Sequence, residues 1–551
     1  MLITLLIWLY MLALCWVYGQ FFLNLICKLT GTAEKPEGGW LAVVAGLVLL
    51  TTISSYTSLF SPIGLWINLI LLAGALILLL THQVRLPRSD RRTTFRDLSL
   101  AVLALAVLIV LENATHRPDN PDTVIYHAQA IRWIETYPAV PGLGNLHGRL
   151  AFNSAWFLSN ALFSFAFLGG QSFHLTGSLL FLVFLLYCWP GFQTVLHGEF
   201  SLSALLKTAL IPLSFTLLGA EISSPGTDLP ASLLIWLVMI LWVEDSEKPR
   251  PSLPFLMVIF SVFAVTVKLS ALPILLLVLI LFIRAWVRGE RKNLTLLATS
   301  SAGIMLPFLM RNVILSGYLI YPYPAIDIFT FDWKVPAARA LQERQAILAW
   351  GRLPRMNAAD VLSMPFTKWF PLWLEKQTLN RRIMLFVSLL SPAGALPLAW
   401  FKRTSRTALL GWLVMYLGVW FWLLSAPDFR FGVGFVIPAC LLGTLPWLLE
   451  ALSRSAKWAR LFSIAALILT GVFLGLTLVN SVELRSLPAR LLLPADYQRI
   501  PTQGCDLANG SVFCAKALDA CSYQDFPCIP APRPWVQMRS LDLQTGFRSL
   551  P

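Results

Sequence analysis

Charge is what this sequence has least of. Only 13% of its 551 residues are Asp, Glu, Lys or Arg, while 57% are hydrophobic and the mean hydropathy is +0.70. Soluble domains carry about a quarter charged residues, so the balance excludes a water-soluble domain as the bulk of the chain and points to an integral membrane protein. Several chemical signatures are missing too. There is no Walker A loop, no G-x-G-x-x-G ahead of a helix, no H-E-x-x-H and no G-x-S-x-G, which takes away the common nucleotide, zinc-hydrolase and serine-hydrolase readings. No alternating ten-residue pattern suggests a β-barrel, so the apolar stretches read as helices, the other way to satisfy a backbone in lipid. No internal repeat is visible. The amino terminus lacks a basic n-region and a small-residue cleavage site, so residues 1–27 read as a retained span.

What is present is a succession of apolar runs. Fourteen spans are expected, near 3–27, 40–57, 62–81, 98–112, 173–192, 203–220, 229–243, 253–267, 269–287, 293–310, 382–401, 408–425, 431–449 and 461–480. The fold class is therefore an all-α polytopic membrane protein. Basic residues crowd four short loops: 85–96 (Arg85, Arg88, Arg91, Arg92, Arg96), 284–292, 402–406 and 453–460. The span list puts all four on one side, which the positive-inside rule makes cytoplasmic. The net charge of +14 is accounted for by this orientation and needs no nucleic acid. Residues 153–168 are short and polar enough to read as a helix lying at the outer interface. The outer face then receives two large loops, 113–172 and 311–381, and the tail 481–551. The expected organisation is an accessory segment 1–97, a membrane core 98–480 and the tail.

Cysteines divide in the same way. Cys15, Cys27, Cys188 and Cys440 lie in apolar segments, whereas Cys505, Cys514, Cys521 and Cys528 crowd into the tail. Their spacing, C-x8-C-x6-C-x6-C, matches no zinc pattern and suggests disulfides in an oxidising compartment, with the pairing open.

The remaining polar residues gather at the outer ends of spans. Asp119 and Asp122 open the first loop in RPDNPDTVIYHAQAIRWIE (117–135); Glu221 and Asp228 flank ISSPGT; Lys268 interrupts TVKLSALP; Arg311 lies in LMRNVILSGYLIYP; Asp428 and Arg430 lie in SAPDFRFG. Ionisable groups near lipid are costly, so several at one depth suggest a site. Each also has a plainer reading: Lys268 and Arg311 as headgroup-seeking side chains, Asp428 with Arg430 as a local pair, Glu221 and Asp228 as turn and helix cap, Asp119 as a turn residue. Asp122, Tyr126 and Gln129 recur at helical spacing and are expected on one face. His116, His127 and His147 form no known ligand pattern. Outer carboxylates suit removal of a proton from a hydroxyl, and nearby cations suit a phosphate leaving group.

On DTVIYHAQAIRW from Asp122, the following outer acid (Glu221 or Asp228), RNVILSGYLIYP and PDFRFG, the chain resembles the GT-C superfamily of multi-spanning glycosyltransferases. The stretch YHAQAIRWIETYPAVPGLGNLHGRLAFNS also looks like an uncharacterised bacterial membrane-protein family tied to envelope polysaccharide. The resemblance covers roughly 98–450 and departs from the family in the three spans ahead of the first loop and in the small cysteine-bearing tail. It implies a GT-C-like bundle with outer juxtamembrane helices, in a bacterial inner membrane with the site facing the periplasm. It implies inverting transfer of a sugar from a polyprenyl-phosphate donor to a glycan or lipid hydroxyl, among membrane lipids. By that likeness Asp122 is the base, Asp119 and Glu221 or Asp228 position substrates, Tyr126 and His127 line the pocket, and Lys268, Arg311 and Arg430 hold the phosphate. Asp428 belongs to the same binding set. A divalent metal is used by some relatives and not by others. A lipid-linked glycan transporter and a polysaccharide polymerase or ligase are the rivals; the first favours mid-membrane charges and repeats, the second outer arginines and a histidine.

Overall fold

The computed structural model describes residues 1–31, 39–84, 98–400, 405–516 and 520–550. The basic loop 85–96 and Lys402 and Arg403 lie outside them. The described chain is predominantly helical. Among the described residues ten helices are long and apolar enough to cross a membrane: Leu2–Thr30, Gly39–Thr57, Thr176–Leu196, Leu202–Glu221, Asp228–Glu247, Leu269–Val287, Arg291–Ser316, Arg406–Leu424, Phe429–Ser453 and Ala456–Ser481. Leu65–Leu80, Leu98–Ala114 and Leu253–Val267 are shorter apolar helices, and Leu379–Trp400 is a helix with two internal prolines. Each expected span thus coincides with a helix, while the length and composition that carry a crossing belong to ten of them.

Close backbone approach joins neighbouring helices. A Cβ on Gly19 would lie 1.7 Å from the Ala42 carbonyl oxygen, and one on Gly46 would lie 1.8 Å from that of Cys15. Helices Leu2–Thr30 and Gly39–Thr57 therefore touch main chain to main chain, as small residues allow in lipid, where little hydrophobic force acts between helices. Gly394 meets the Gly443 carbonyl in the same way.

Segments assigned by charge to one side do meet. Arg284 donates to Thr407 Oγ1 at 2.9 Å and pairs with Asp245 at 3.7 Å, and Trp242 donates to the Thr407 carbonyl at 2.7 Å. At the opposite end the Met1 amine donates to the Arg490 carbonyl at 2.5 Å, joining the first helix to the tail.

One expectation changes. Ala155–Leu162 is a helix whose every residue is buried, held by Ser154 at its N-cap. It presents no wet face, so it is packed inside the protein rather than lying at an interface. The tail adds two small sheets. Strand Thr502–Leu507 pairs antiparallel with Gly510–Ala515, which pairs parallel with Cys528–Ile529; Val536–Met538 pairs antiparallel with Phe547–Ser549. The tail docks on the segment 113–172, with Ser549 Oγ donating to Asn145 Oδ1 at 2.8 Å and Phe547 N donating to the Pro141 carbonyl at 2.9 Å.

Candidate functional site

The helix Leu98–Ala114 ends, and the chain turns at Asn120. Asn120 Oδ1 accepts the Asp122 backbone N–H at 2.9 Å, while its amide nitrogen donates to both oxygens of Glu221 at 3.1 and 2.8 Å. Asp122 directly precedes a π-helical turn, Thr123–His127, which runs into Ala128–Thr136. Such turns lengthen the backbone ring by one residue and are less stable than the α form, so their neighbours must hold them.

Both oxygens of Asp122 are taken by arginines. Arg149 Nη1 donates to Oδ1 at 3.1 Å and Arg430 Nη1 to Oδ2 at 2.8 Å. Arg430 opens the helix Phe429–Ser453, capped by Asp428, whose carboxylate accepts from Arg430 N at 3.3 Å and Nε at 3.1 Å. The same guanidinium lies 3.6 Å from Asp228 Oδ2. Asp228, 6% exposed, opens its own helix and pairs with Lys268. Lys268 stands in extended backbone where Leu253–Val267 ends, and its ammonium lies 3.8 Å from the centre of the Phe431 ring. The break in that helix therefore delivers a cation to the site, and the aromatic face helps to hold it.

Four carboxylates, those of Asp122, Asp228, Asp428 and Glu221, here surround three cations, Arg149, Lys268 and Arg430. Burial works against the Asp122 charge. His127 when protonated, Arg430 and Arg149 favour it, and together they hold the carboxyl below its ordinary range. Asp122 is thus ionised at neutral pH. His127 is buried against Phe157 with ring centres 5.2 Å apart, and burial lowers its pKa to about 4. It is a neutral wall at pH 7. Tyr126 stands edge-on to His127, Phe152 and Phe157, with the Arg149 guanidinium 5.8 Å from its ring centre; burial raises its phenol well above the ordinary value.

A family model described as a domain of unknown function (DUF8201) matches residues 1–437. The chain belongs to that family. The matched region holds every residue of the acidic cluster, and the cysteine-bearing tail lies beyond it. Neither the comparison with curated proteins nor that with solved structures finds a match.

In this family member the structure brings together Asp122, Tyr126, His127, Glu221, Asp228, Lys268, Asp428 and Arg430. Two expected partners stand elsewhere. Asp119 is exposed and makes no hydrogen bond or ion pair among the described residues. Arg311 is buried one layer away, donating to Asn153 Oδ1 at 3.2 Å and Ser58 Oγ at 2.7 Å, with no carboxylate partner among the described residues. Its place mid-turn on Arg291–Ser316 aims it at the end of Gly39–Thr57 instead of at Arg430.

The expected common face of Asp122, Tyr126 and Gln129 is also lost. The extra residue in the π-helical turn shifts the register, and Gln129 binds the tail instead. Arg149 and Asn120 are additional members of the site. Arg149 is one more basic residue in the long segment 113–172, and only its place opposite Asp122 distinguishes it; Asn120 gave a turn signal but none for its grip on Glu221. Among the described residues no group of three or more His, Cys, Asp and Glu side chains is close enough to hold a metal ion. The tail cysteines pair as Cys505–Cys514 and Cys521–Cys528.

Proposed function

We propose that this protein is a GT-C-type membrane glycosyltransferase of about fourteen spans. It moves a sugar from a polyprenyl-phosphate donor to a hydroxyl acceptor at the periplasmic face of a bacterial inner membrane, in assembly or modification of envelope glycan. The observation that carries this reading is Asp122, an ionised carboxylate in the loop that follows a short apolar helix, held by Arg149 and by the guanidinium of Arg430, which also serves Asp228 and Asp428. Acid and cation in one pocket are what an alcohol nucleophile and a phosphate leaving group need.

The resting cluster also suggests how the base is switched on. A carboxylate with an arginine on each oxygen has low proton affinity. A donor phosphate arriving beside Arg430 and Lys268 competes for both cations. As Arg430 turns to the phosphate, Asp122 Oδ2 is freed and its proton affinity rises. The acceptor hydroxyl gives its proton to Oδ2, and its oxygen bonds to the anomeric carbon. The bond from that carbon to the phosphate oxygen breaks, and polyprenyl phosphate leaves with the electron pair, its new charge met by Arg430 and Lys268. Attack opposite the leaving group inverts the anomeric centre. Glu221, fixed by Asn120, and Asp228 orient the sugar hydroxyls, and Tyr126 and His127 form the pocket wall.

The test uses purified protein in lipid nanodiscs with a panel of polyprenyl-phosphate sugars and hydroxyl acceptors. Release of polyprenyl phosphate by the wild type, and donor binding without release by Asp122→Asn, supports the reading. A wild type that binds a donor and never releases polyprenyl phosphate in the presence of acceptors sinks it and favours a lipid-glycan transporter.

A further inference from the structure

One closed ring of the tail lies against the helix behind Asp122 and supplies hydrogen bonds to it. The Cys521–Cys528 disulfide bridges a sequence separation of seven residues. Four successive carbonyls in that ring face the helix Ala128–Thr136: Gln129 donates to those of Ser522 (2.5 Å) and Asp525 (2.8 Å), and Arg132 donates to those of Tyr523 and Gln524. Gln129 Oε1 accepts in return from Cys528 N at 3.0 Å. An extended strand turns successive residues to opposite sides, so four consecutive carbonyls on one side need a curved path, and the disulfide closes that curve. The ring also reaches the turn itself, where Cys521 N donates to the Val124 carbonyl at 2.5 Å. Gln129 is 1% exposed, so each of its three bonds is costly to leave unmade. The other disulfide, Cys505–Cys514, ties together the strands Thr502–Leu507 and Gly510–Ala515. Neither cysteine hydrogen-bonds to the helix or the turn among the described residues.

We propose that the Cys521–Cys528 ring, anchored on Gln129, is the positioning element that holds the π-helical turn Thr123–His127 and so aims Asp122 between Arg149 and Arg430. Removing the ring's grip lets the turn relax toward ordinary α-helical register, which rotates Asp122 away from both arginines. The inference concerns the geometry of the acidic cluster and goes beyond the transferase reading.

The experiment is hydrogen exchange read by mass spectrometry on the full-length protein in nanodiscs, with no donor present. Wild type is compared with Cys521→Ser/Cys528→Ser, with Cys505→Ser/Cys514→Ser and with Gln129→Leu, which keeps both disulfides. In the 521/528 pair and in Gln129→Leu, amides of the turn Thr123–His127 are expected to exchange on the order of tenfold faster. In the 505/514 pair they exchange as in the wild type. Two results overturn the proposal. One is an unchanged turn in Gln129→Leu or in the 521/528 pair while the tail's own amides accelerate. The other is equal acceleration of the turn in the 505/514 pair, which makes the tail a general cover. If the 521/528 pair does not fold, Gln129→Leu alone decides. Because no donor is used, failure of the transferase reading leaves this result standing.

Discussion

Arg430 and Asp122 are 308 residues apart in the chain, and their side chains are 2.8 Å apart in space. That hydrogen bond joins the segment 113–172 to the start of the helix Phe429–Ser453. It also makes Arg430 common to three carboxylates, Asp122, Asp228 and Asp428. A guanidinium shared in this way can transfer to a phosphate without leaving any one carboxylate as its only loss.

Asp122→Asn keeps side-chain volume and removes the charge. Turnover of a polyprenyl-phosphate donor is expected to fall by roughly 10²–10⁴-fold, the range for loss of a general base. Donor affinity is expected to stay within about threefold, because the proposed function gives the phosphate to Lys268 and Arg430. Steady-state release of polyprenyl phosphate and equilibrium donor binding check this together. Normal turnover in the variant removes Asp122 from the role of base.

Arg430→Met and Arg311→Met make an informative pair. The first leaves Asp122, Asp228 and Asp428 without their common cation and is expected to cost on the order of 2 kcal/mol. That is below the loss for a fully buried pair because Arg430 is 30% exposed. The second removes a buried guanidinium bonded, among the described residues, to neutral Asn153 and Ser58, and is expected to cost less. Thermal melting in detergent ranks the two. A larger loss for Arg311→Met means that an anion accompanies Arg311 in the isolated protein.

Acid should destabilise the protein in two stages. The folded-state pKa values of His127, about 4, and His147, about 3, lie below the ordinary 6.5 because both rings are buried. The unfolded chain therefore takes up these protons first. The stability this gives is complete above about pH 6.5 and is lost as pH falls from there toward 4, at up to ~1.4 kcal/mol per pH unit per histidine. Asp122, held below its ordinary 3.8, adds stability that is present above that value and lost as pH falls further. Melting temperature against pH should decline from about 6.5 downward, and His147→Phe should flatten the decline. A curve that is level between pH 6.5 and 4.5 contradicts the burial of both rings.

Gly46→Ala tests the backbone contact between the first two helices. The added methyl falls 1.8 Å from the Cys15 carbonyl oxygen, so the helices must separate. A loss of about 3 kcal/mol is expected, at the upper end for overpacking in a close-packed core. Melting of the purified variant measures it, and a neutral result means that the two helices can slide apart freely.

What the sequence determined by itself was whatever depends on about twenty consecutive residues. The apolar runs became helices at the expected places because composition alone decides whether a segment can satisfy its backbone in lipid. The four tail cysteines read as disulfides for a similarly local reason, their density in a polar segment. The ionisable residues at helix ends were legible as costly and therefore notable: Asp122, Asp228, Lys268 and Arg430 did converge. Tertiary structure alone decided which ends met. Arg149 entered the site and Arg311 stayed out of it through the packing of helices far apart in sequence, which no local pattern encodes. It also decided the facing of Gln129, because one extra residue in the π-helical turn outweighs any periodicity counted at 3.6. The pairing of the cysteines and the seat of their ring on Gln129 follow from the same cause. Local composition sets which segments enter the membrane, and long-range contact sets what their ends can do.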